Sequence, residues 1–252
     1  MIDLQGISKT YAKSVVKAVD GLSVSIRDGE IFGFLGPNGA GKTTTIKVLT
    51  GVLRPDAGTA LIDGIDIAAS PLEAKRRIGY VTDNPELFSR LKAAEYLNFI
   101  GDVYGVDAAT RRERVADYTT RFEIKDALGG SIGSFSHGMK QKLLVTASLL
   151  PDPQNWVLDE PMVGLDPKAA FILKDIMRSR VASGKTVFFS THVMEVAEKL
   201  CDRLAIINKG KIIFTGTLAE LKKLQGADTS LESLFLEMVD DNPEAGTTGG
   251  RS

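Results

Sequence analysis

The chain has 252 residues, 43% of them hydrophobic and 25% charged, so it is long enough to bury a substantial core and has the composition of an ordinary globular protein. Its 31 basic and 32 acidic residues give a formal net charge of -1, which offers no electrostatic reason to expect nucleic acid as a partner. The single cysteine excludes an internal disulfide, and no stretch approaches the roughly 18 consecutive apolar residues of a membrane-spanning helix, so we expect a cytoplasmic protein or one docked on a membrane partner.

The first third of the chain has the pattern of strands and hairpins. Residues 22–26 alternate apolar and polar side chains, and Ile31–Leu35 is a continuous apolar run, which is typical of a buried strand. A glycine-rich loop precedes a helical pattern from Thr43 to Leu49. Asp63-Gly64 between two short apolar runs predicts a hairpin, and Ile78–Val81 predicts a further strand.

The middle of the chain has helical spacing of apolar residues, for example at Leu97, Ile100 and Tyr104. We predict an inserted helical subdomain over about residues 84–150. After it, strand and helix patterns alternate, with strands at 156–158 and 186–191, helices from Pro167 and from about Val193, and a last hairpin that turns at 208–210. This alternation of strands and helices predicts a parallel sheet covered by helices on both faces.

Residues 36–43, GPNGAGKT, fit the phosphate-loop pattern and stand where it requires, after an apolar strand and before a helix. Glycines allow successive N–H groups to surround phosphates, and the helix N-terminus adds partial positive charge. The alternative is a glycine turn with a surface lysine. We expect the lysine to reach the terminal phosphates and the threonine hydroxyl to bind magnesium. The predicted ATP-binding residues of this segment are Gly36, Pro37, Asn38, Gly39, Ala40, Gly41, Lys42, Thr43 and Thr44.

Two carboxylates follow the apolar strand at 156–158. In open α/β sheets such strand ends face the ligand crevice, so Asp159 is suited to hold magnesium and Glu160 is the candidate general base. His192 ends the next predicted strand, from where it can donate to a γ-phosphate and orient the attacking water. Its alternative is a histidine at an ordinary helix start.

These motifs together resemble the nucleotide-binding subunits of ATP-binding cassette (ABC) transporters, from about residue 2 to residue 236. Residues 36–43 look like the Walker A motif, residues 158–160 like the end of Walker B, and SHGMKQ at 136–141 like the family signature. Residues 164–167 resemble the D-loop and 190–192 the switch-histidine region, and Tyr11 matches the aromatic residue that stacks on adenine.

The resemblance implies a fold: an α/β P-loop NTPase (RecA-like) core with a mostly parallel sheet, an antiparallel β-subdomain and the inserted helical subdomain. It makes residues 1–238 one nucleotide-binding domain, followed by a tail at 239–252. The polar, glycine-rich composition of that tail predicts disorder.

The resemblance also implies a mechanism that uses ATP and Mg²⁺. Two such domains, as a homo- or heterodimer, would close head to tail around two nucleotides, so that Ser136, Gly138 and Asp166 contact the ATP bound to the opposite protomer. Closure and hydrolysis would drive separate transmembrane permease subunits. The C-terminal pattern, at 216–218 and 233–237, looks like the subfamily with export-type permeases, and an importer component is the alternative.

Two departures from the family pattern stand out. Asp83 occupies the position of the Q-loop glutamine, and our hypothesis is that it approaches magnesium as a charged ligand. The alternative is a turn aspartate. In the signature, His137 and Met139 replace a glycine and a glutamine, whereas Ser136 and Gly138 are retained.

Two other functions were weighed. A soluble cassette ATPase acting on ribosomes or DNA would usually carry a second cassette or a long coiled coil, and this chain has neither, nor a basic face. A regulatory subunit that binds ATP without hydrolysing it is disfavoured because Lys42, Asp159, Glu160 and His192 are all present. The sequence therefore predicts a transporter ATPase.

Overall fold

The computed structural model describes residues 1–12, 14–83, 88–225 and 235. The strands are β1 (Ile2–Thr10), β2 (Lys17–Ile26), β3 (Ile31–Leu35), β4 (Ala57–Ile62), β5 (Ile65–Asp66), β6 (Ile78–Val81), β7 (Asn155–Leu158), β8 (Thr186–Thr191), β9 (Arg203–Asn208) and β10 (Lys211–Gly216). The helices are α1 (Lys42–Leu49), α2 (Pro71–Arg76), α3 (Ala93–Val103), α4 (Ala108–Arg121), α5 (His137–Leu149), α6 (Pro167–Ala182), α7 (Met194–Leu200) and α8 (Leu218–Gln225).

A four-stranded antiparallel sheet has the strand order β2-β1-β4-β5. Leu22, Val24 and Ile26 are buried while the residues between them are exposed, which is the alternation of a strand with one covered face. The predicted Asp63-Gly64 turn is confirmed, since both residues have positive φ (51° and 80°), as a two-residue hairpin requires.

A six-stranded sheet has the order β10-β9-β3-β8-β7-β6 and is parallel except for the β9–β10 hairpin. Every residue of β3, β7 and β8 is buried. Val187 and Phe189 pack with the helices on one face, and Phe188 packs towards the antiparallel sheet on the other. Because parallel strands end at one edge, the segments that follow β3, β6, β7 and β8 meet there.

The helices α3, α4 and α5 contact one another and lie within the range predicted for the helical subdomain. Phe122 and Leu143 belong to the core that joins these helices to the six-stranded sheet. Residues 84–87 and the tail at 239–252 lie outside the described residues, so the predicted subdomain start and the predicted disorder are not addressed.

Three elements were not predicted from the sequence: β1, α2 and α8. Gly6 has a positive φ of 62°, and the pairing of β1 shifts register on both sides, so β1 lacks clean alternation. The predicted starts of α1 and α7 hold to within one residue, at Lys42 and Met194. Two strands begin earlier than predicted, β2 at Lys17 and β4 at Ala57. In the described part of the chain, no helix has the length and hydropathy needed to cross a membrane.

Candidate active site

A cavity of about 390 Å³ lies at the carboxyl edge of the six-stranded sheet. It is formed where the segments following β3, β6 and β7 meet the start of α1. Its lining residues are Tyr11, Ala18, Pro37, Asn38, Gly39, Gly41, Lys42, Thr43, Thr44, Asp83 and Glu160. All but Ala18 were predicted from the sequence as site residues. The remaining loop residues of that prediction, Gly36 and Ala40, are buried in the same loop.

The loop between β3 and α1 is packed so tightly that two positions require glycine. A Cβ on Gly36 would lie 2.5 Å from the carbonyl oxygen of Ile207 on β9. Gly41 precedes α1 with φ 111°, where L side chains are strained, and its Cβ would lie 2.4 Å from the carbonyl oxygen of Ala18. The loop therefore presents its backbone to the cavity beside the N-terminus of α1, which favours anions.

Lys42 lies beneath this loop, with only 6% of its side chain exposed. Its Nζ donates to the carbonyl oxygens of Gly36 (2.7 Å) and Pro37 (3.3 Å). It also lies 3.3 Å from Glu160 Oε1. The lysine thus holds the loop in shape and places a positive charge beside the carboxylate that follows β7.

Asp159 is fully buried at the end of β7. Its Oδ1 accepts a hydrogen bond from Ser190 Oγ (2.6 Å), whereas Oδ2 has no partner among the described residues. Burial raises the pKa of Asp159, hydrogen bonds from Ser190 and Thr43 lower it, and the charges of Asp83 and Glu160 raise it. A buried carboxylate oxygen without a partner is costly, so this atom is ready to accept a cation or a bound water.

Glu160 has a left-handed backbone, with φ 47°, which is uncommon for a residue other than glycine. Its N–H donates to Ser190 Oγ at 2.9 Å. Its Oε2 lies 3.0 Å from Nδ1 of His192, the residue that directly follows β8. The two residues predicted to be catalytic are therefore in direct contact, and Lys42 contacts the other carboxylate oxygen.

Tyr11 and Asp83 also line the cavity. The Tyr11 hydroxyl is 3.1 Å from Thr44 Oγ1, and the ring is about half exposed at the cavity. Asp83 is exposed, and its Oδ1 accepts a hydrogen bond from Thr82 Oγ1 at 3.1 Å. The roles of these two side chains, towards a base ring and a cation, stay predictions.

The remaining predicted ATP-binding residues are not brought to this cavity. Ser136 caps α5, accepting from the N–H of Met139 at 3.3 Å. Gly138 lies so close to Gly164 that a Cβ would be 2.6 Å from its carbonyl oxygen. Asp166 caps α6 and pairs with Lys142 Nζ at 2.7 Å. Within one chain, the signature and the D-loop contact each other and not the phosphate loop.

A sequence model of the family described as "ABC transporter" matches residues 19–163. The chain belongs to the ABC transporter family. It is 37% identical over 242 residues to the ABC transporter ATP-binding protein NatA of Bacillus subtilis, covering 95% of this chain and 98% of the relative. It is 40% identical to the Nod factor export ATP-binding protein I of Ralstonia nicotianae, covering 88% of this chain and 68% of the relative.

Solved structures of such cassettes agree with this fold. An ATP-binding subunit of an ABC transporter superposes with a TM-score of 0.89 and 30% identity, covering 94% of this chain and 99% of that one. A dimeric cassette bound to ADP and phosphate gives a TM-score of 0.78 at 23% identity, covering 86% of this chain and 99% of that one, and supports the fold alone. The predicted P-loop α/β fold is confirmed. The cassette is an ATP-binding, ATP-hydrolysing subunit of a membrane transporter, and the soluble alternative is not supported.

The oxygen atoms of the cassette's cavity suit Mg²⁺, the ion predicted from the sequence to bind Thr43, Asp83 and Asp159. Asp159 Oδ2, which has no hydrogen-bond partner among the described residues, offers a carboxylate ligand, and Thr43 offers a hydroxyl at the cavity. No group of three His, Cys, Asp or Glu side chains close enough to form a metal site occurs in the described ranges. Mg²⁺ usually takes one or two protein carboxylates and otherwise phosphate oxygens and water.

Sequence reasoning missed the part that Ser190 takes in the cassette's site. The sequence places Ser190 in the switch-histidine region and assigns it no role, although its hydroxyl contacts both Asp159 and Glu160. A serine in a buried strand has no distinctive pattern, and only the pairing of β7 with β8 places it beside the two carboxylates.

Proposed function

We propose that this chain works as one half of a cassette dimer, seated on the cytoplasmic face of a membrane through permease subunits and coupling ATP binding and hydrolysis to their movement. One observation carries the proposal. Lys42 and Glu160 line one cavity, and His192 contacts Glu160. Ser136, Gly138 and Asp166 do not line that cavity. A complete site would therefore need the signature and D-loop of a second chain.

The binding roles follow from the cavity. The backbone of residues 36–43, Lys42 and the start of α1 hold the phosphates, and the exposed face of Tyr11 receives the adenine ring. Thr43 and Asp159, with Asp83 at the rim, would hold Mg²⁺. When bound, the ion would help neutralise the negative charge that develops on the phosphates.

The hydrolytic role falls to Glu160 and His192. Glu160 contacts Lys42 through Oε1 and His192 through Oε2. A γ-phosphate in the loop would draw the Lys42 ammonium away, freeing Oε1 to accept a proton from the attacking water. A neutral imidazole has one N–H, so His192 would orient the Glu160 carboxylate before ATP binds and donate to the γ-phosphate afterwards.

Export is the direction that we propose. Two relatives are named for export or resistance: the Nod factor export protein and the daunorubicin/doxorubicin resistance ATP-binding protein DrrA of Streptomyces peucetius, which is 38% identical over 90% of this chain and 68% of its own length. The C-terminal pattern at 216–218 and 233–237 agrees with this subfamily. Importer function is the alternative.

The test is ATP hydrolysis by the purified chain as a function of its concentration, with Mg²⁺. Composite sites predict a rate that rises faster than linearly with concentration. Glu160→Gln should lower kcat more than about 100-fold, as loss of a general base does, with ATP still bound. Glu195→Gln, an exposed acid on α7, is the matched control. A rate strictly proportional to concentration down to high dilution, or full activity in Glu160→Gln, would contradict the proposal.

A further inference from the structure

Ser190 lies near the end of β8 and is completely buried. Its hydroxyl bridges two consecutive residues of the neighbouring segment. It donates to Asp159 Oδ1 at 2.6 Å and accepts from the N–H of Glu160 at 2.9 Å. A backbone N–H can only donate, so the serine oxygen must be its acceptor and the hydroxyl proton is left for the carboxylate. The direction of both hydrogen bonds is therefore fixed.

The bridge follows from strand register. Leu158 of β7 is paired with Phe189 of β8 in a parallel ladder, so the residues that come next, Asp159 and Ser190, leave the ladder side by side. A hydroxyl on the shortest polar side chain can reach both the carboxylate and the following amide without leaving the strand. Alanine at this position would keep the strand and lose both hydrogen bonds.

The bridge acts on the two residues that the hydrolysis step needs. Asp159 Oδ2 has no hydrogen-bond partner in the described ranges, so the Ser190 contact limits how the carboxylate can turn. Glu160 has φ 47°, a conformation that costs about 1–2 kcal/mol for an L-residue, so its backbone needs an anchor. The hydrogen bond from its N–H supplies one.

We infer that Ser190 is a positioning residue for ATP hydrolysis: its hydroxyl fixes Asp159 for the cation and Glu160 for the attacking water at the same time. The inference rests on the proposed roles of these two carboxylates. Removing the hydroxyl should lower kcat by about 10- to 100-fold, the usual effect of losing a residue that orients ligands or catalytic groups. ATP binding without Mg²⁺ depends on the phosphate loop and should change less than about twofold.

Ser148 on α5 provides a matched control for a purely structural role. It is also buried, and its hydroxyl also makes two hydrogen bonds, donating to the carbonyl oxygen of Val145 (2.8 Å) and accepting from Trp156 Nε1 (2.9 Å). It does not line the nucleotide cavity. Ser148→Ala therefore removes the same kind of contacts from the core without touching the site.

The experiment compares Ser190→Ala, Ser190→Cys, Ser148→Ala, Ser148→Cys and Glu160→Gln in the full chain. Melting temperature, kcat, KM and the affinity for a fluorescent ATP analogue with and without Mg²⁺ are measured for each. We expect the variants at both serines to melt at a lower temperature, and only the Ser190 variants to have a lower kcat. Cysteine keeps the volume and a weak donor, so Ser190→Cys should lie between the wild type and Ser190→Ala.

A second readout separates positioning from folding: Ser190→Ala should reduce the gain in analogue affinity that Mg²⁺ gives, and Ser148→Ala should leave that gain intact. Equal kcat values for Ser190→Ala and Ser148→Ala, with an unchanged Mg²⁺ effect, would overturn the inference while leaving Glu160 as base. Full hydrolysis in Glu160→Gln would instead overturn the proposed function. If Ser190→Ala does not fold, the size-matched Ser190→Cys carries the same comparison.

Discussion

The two halves of the predicted ATP site are built differently. The phosphate-loop half is assembled across the edge of a sheet: Lys42, Glu160 and His192 come from three chain segments, and Glu160 contacts both of the others. The signature half is local: Ser136 and Gly138 begin one helix, and Asp166 begins another. We therefore expect the first half to bind phosphate within one chain, and the second to bind a nucleotide held by another chain.

The signature half is nevertheless attached to the catalytic half. Gln141 Nε2 donates to the carbonyl oxygen of Pro161 at 3.4 Å, and Lys142 pairs with Asp166. Gln141 and Lys142 lie on the first two turns of α5. The segment that they contact, residues 161–166, directly follows Glu160. Movement of α5 would therefore pull on the segment that carries the predicted base.

The largest expected effect is in the phosphate-loop half. Lys42→Ala removes the buried ammonium beside Gly36, Pro37 and Glu160, leaving the carboxylate without its cation. We expect ATP affinity and hydrolysis each to fall more than about 100-fold, since a charge-assisted contact to phosphate is worth about 1.5–3 kcal/mol and loop geometry is lost with it. Equilibrium binding of ATP measures this. Lys47→Ala, on the same helix and away from the cavity, should bind normally.

A substitution in the signature half should lower hydrolysis without lowering ATP affinity. Gly138→Ala places a Cβ 2.6 Å from the carbonyl oxygen of Gly164, so the loop must move. We expect hydrolysis to fall about tenfold or more, with ATP binding by the dilute chain unchanged, because the phosphate loop is untouched. Gly129→Ala, where a Cβ meets nothing within 4 Å, is the control. Loss of ATP binding in Gly138→Ala would show that the two halves are not separable.

A smaller effect is expected at Asp83, at the rim of the cavity. Asp83→Asn keeps the shape and removes the charge, so if the side chain approaches Mg²⁺, the Mg²⁺ concentration for half-maximal hydrolysis should rise about three- to tenfold. Asp66→Asn, on β5, is a control outside the cavity. Unchanged Mg²⁺ dependence would leave Asp83 as a turn residue.

The smallest effect concerns the attachment between the halves. Lys142→Ala removes the ion pair with Asp166, whose carboxylate is about half exposed, so the free energy of unfolding should fall by no more than about 1 kcal/mol. Chemical denaturation measures this, and Lys142→Arg should restore it. A drop in kcat larger than the loss of stability accounts for would mean that the pair also transmits movement.

The sequence predicted the two halves unequally, for physical reasons. The phosphate loop and the carboxylates after β7 are local patterns, so their residues could be named and lie where expected. Ser190 could not be assigned a role, because its two contacts arise from strand pairing across 31 and 30 residues. Likewise β1 was missed because Gly6 and its register shifts disturb the alternation, and α2, only six residues long, is too short for helical periodicity.

The left-handed backbone of Glu160 places stability and activity in conflict at this position. Glycine or asparagine would adopt φ 47° more easily than glutamate, so selection for thermal stability alone should favour them at this position. Neither could take a proton from water. A library screened only for thermostability should therefore yield substitutions at residue 160 that are more stable but inactive. The trade-off between stability and turnover would then lie in a single residue.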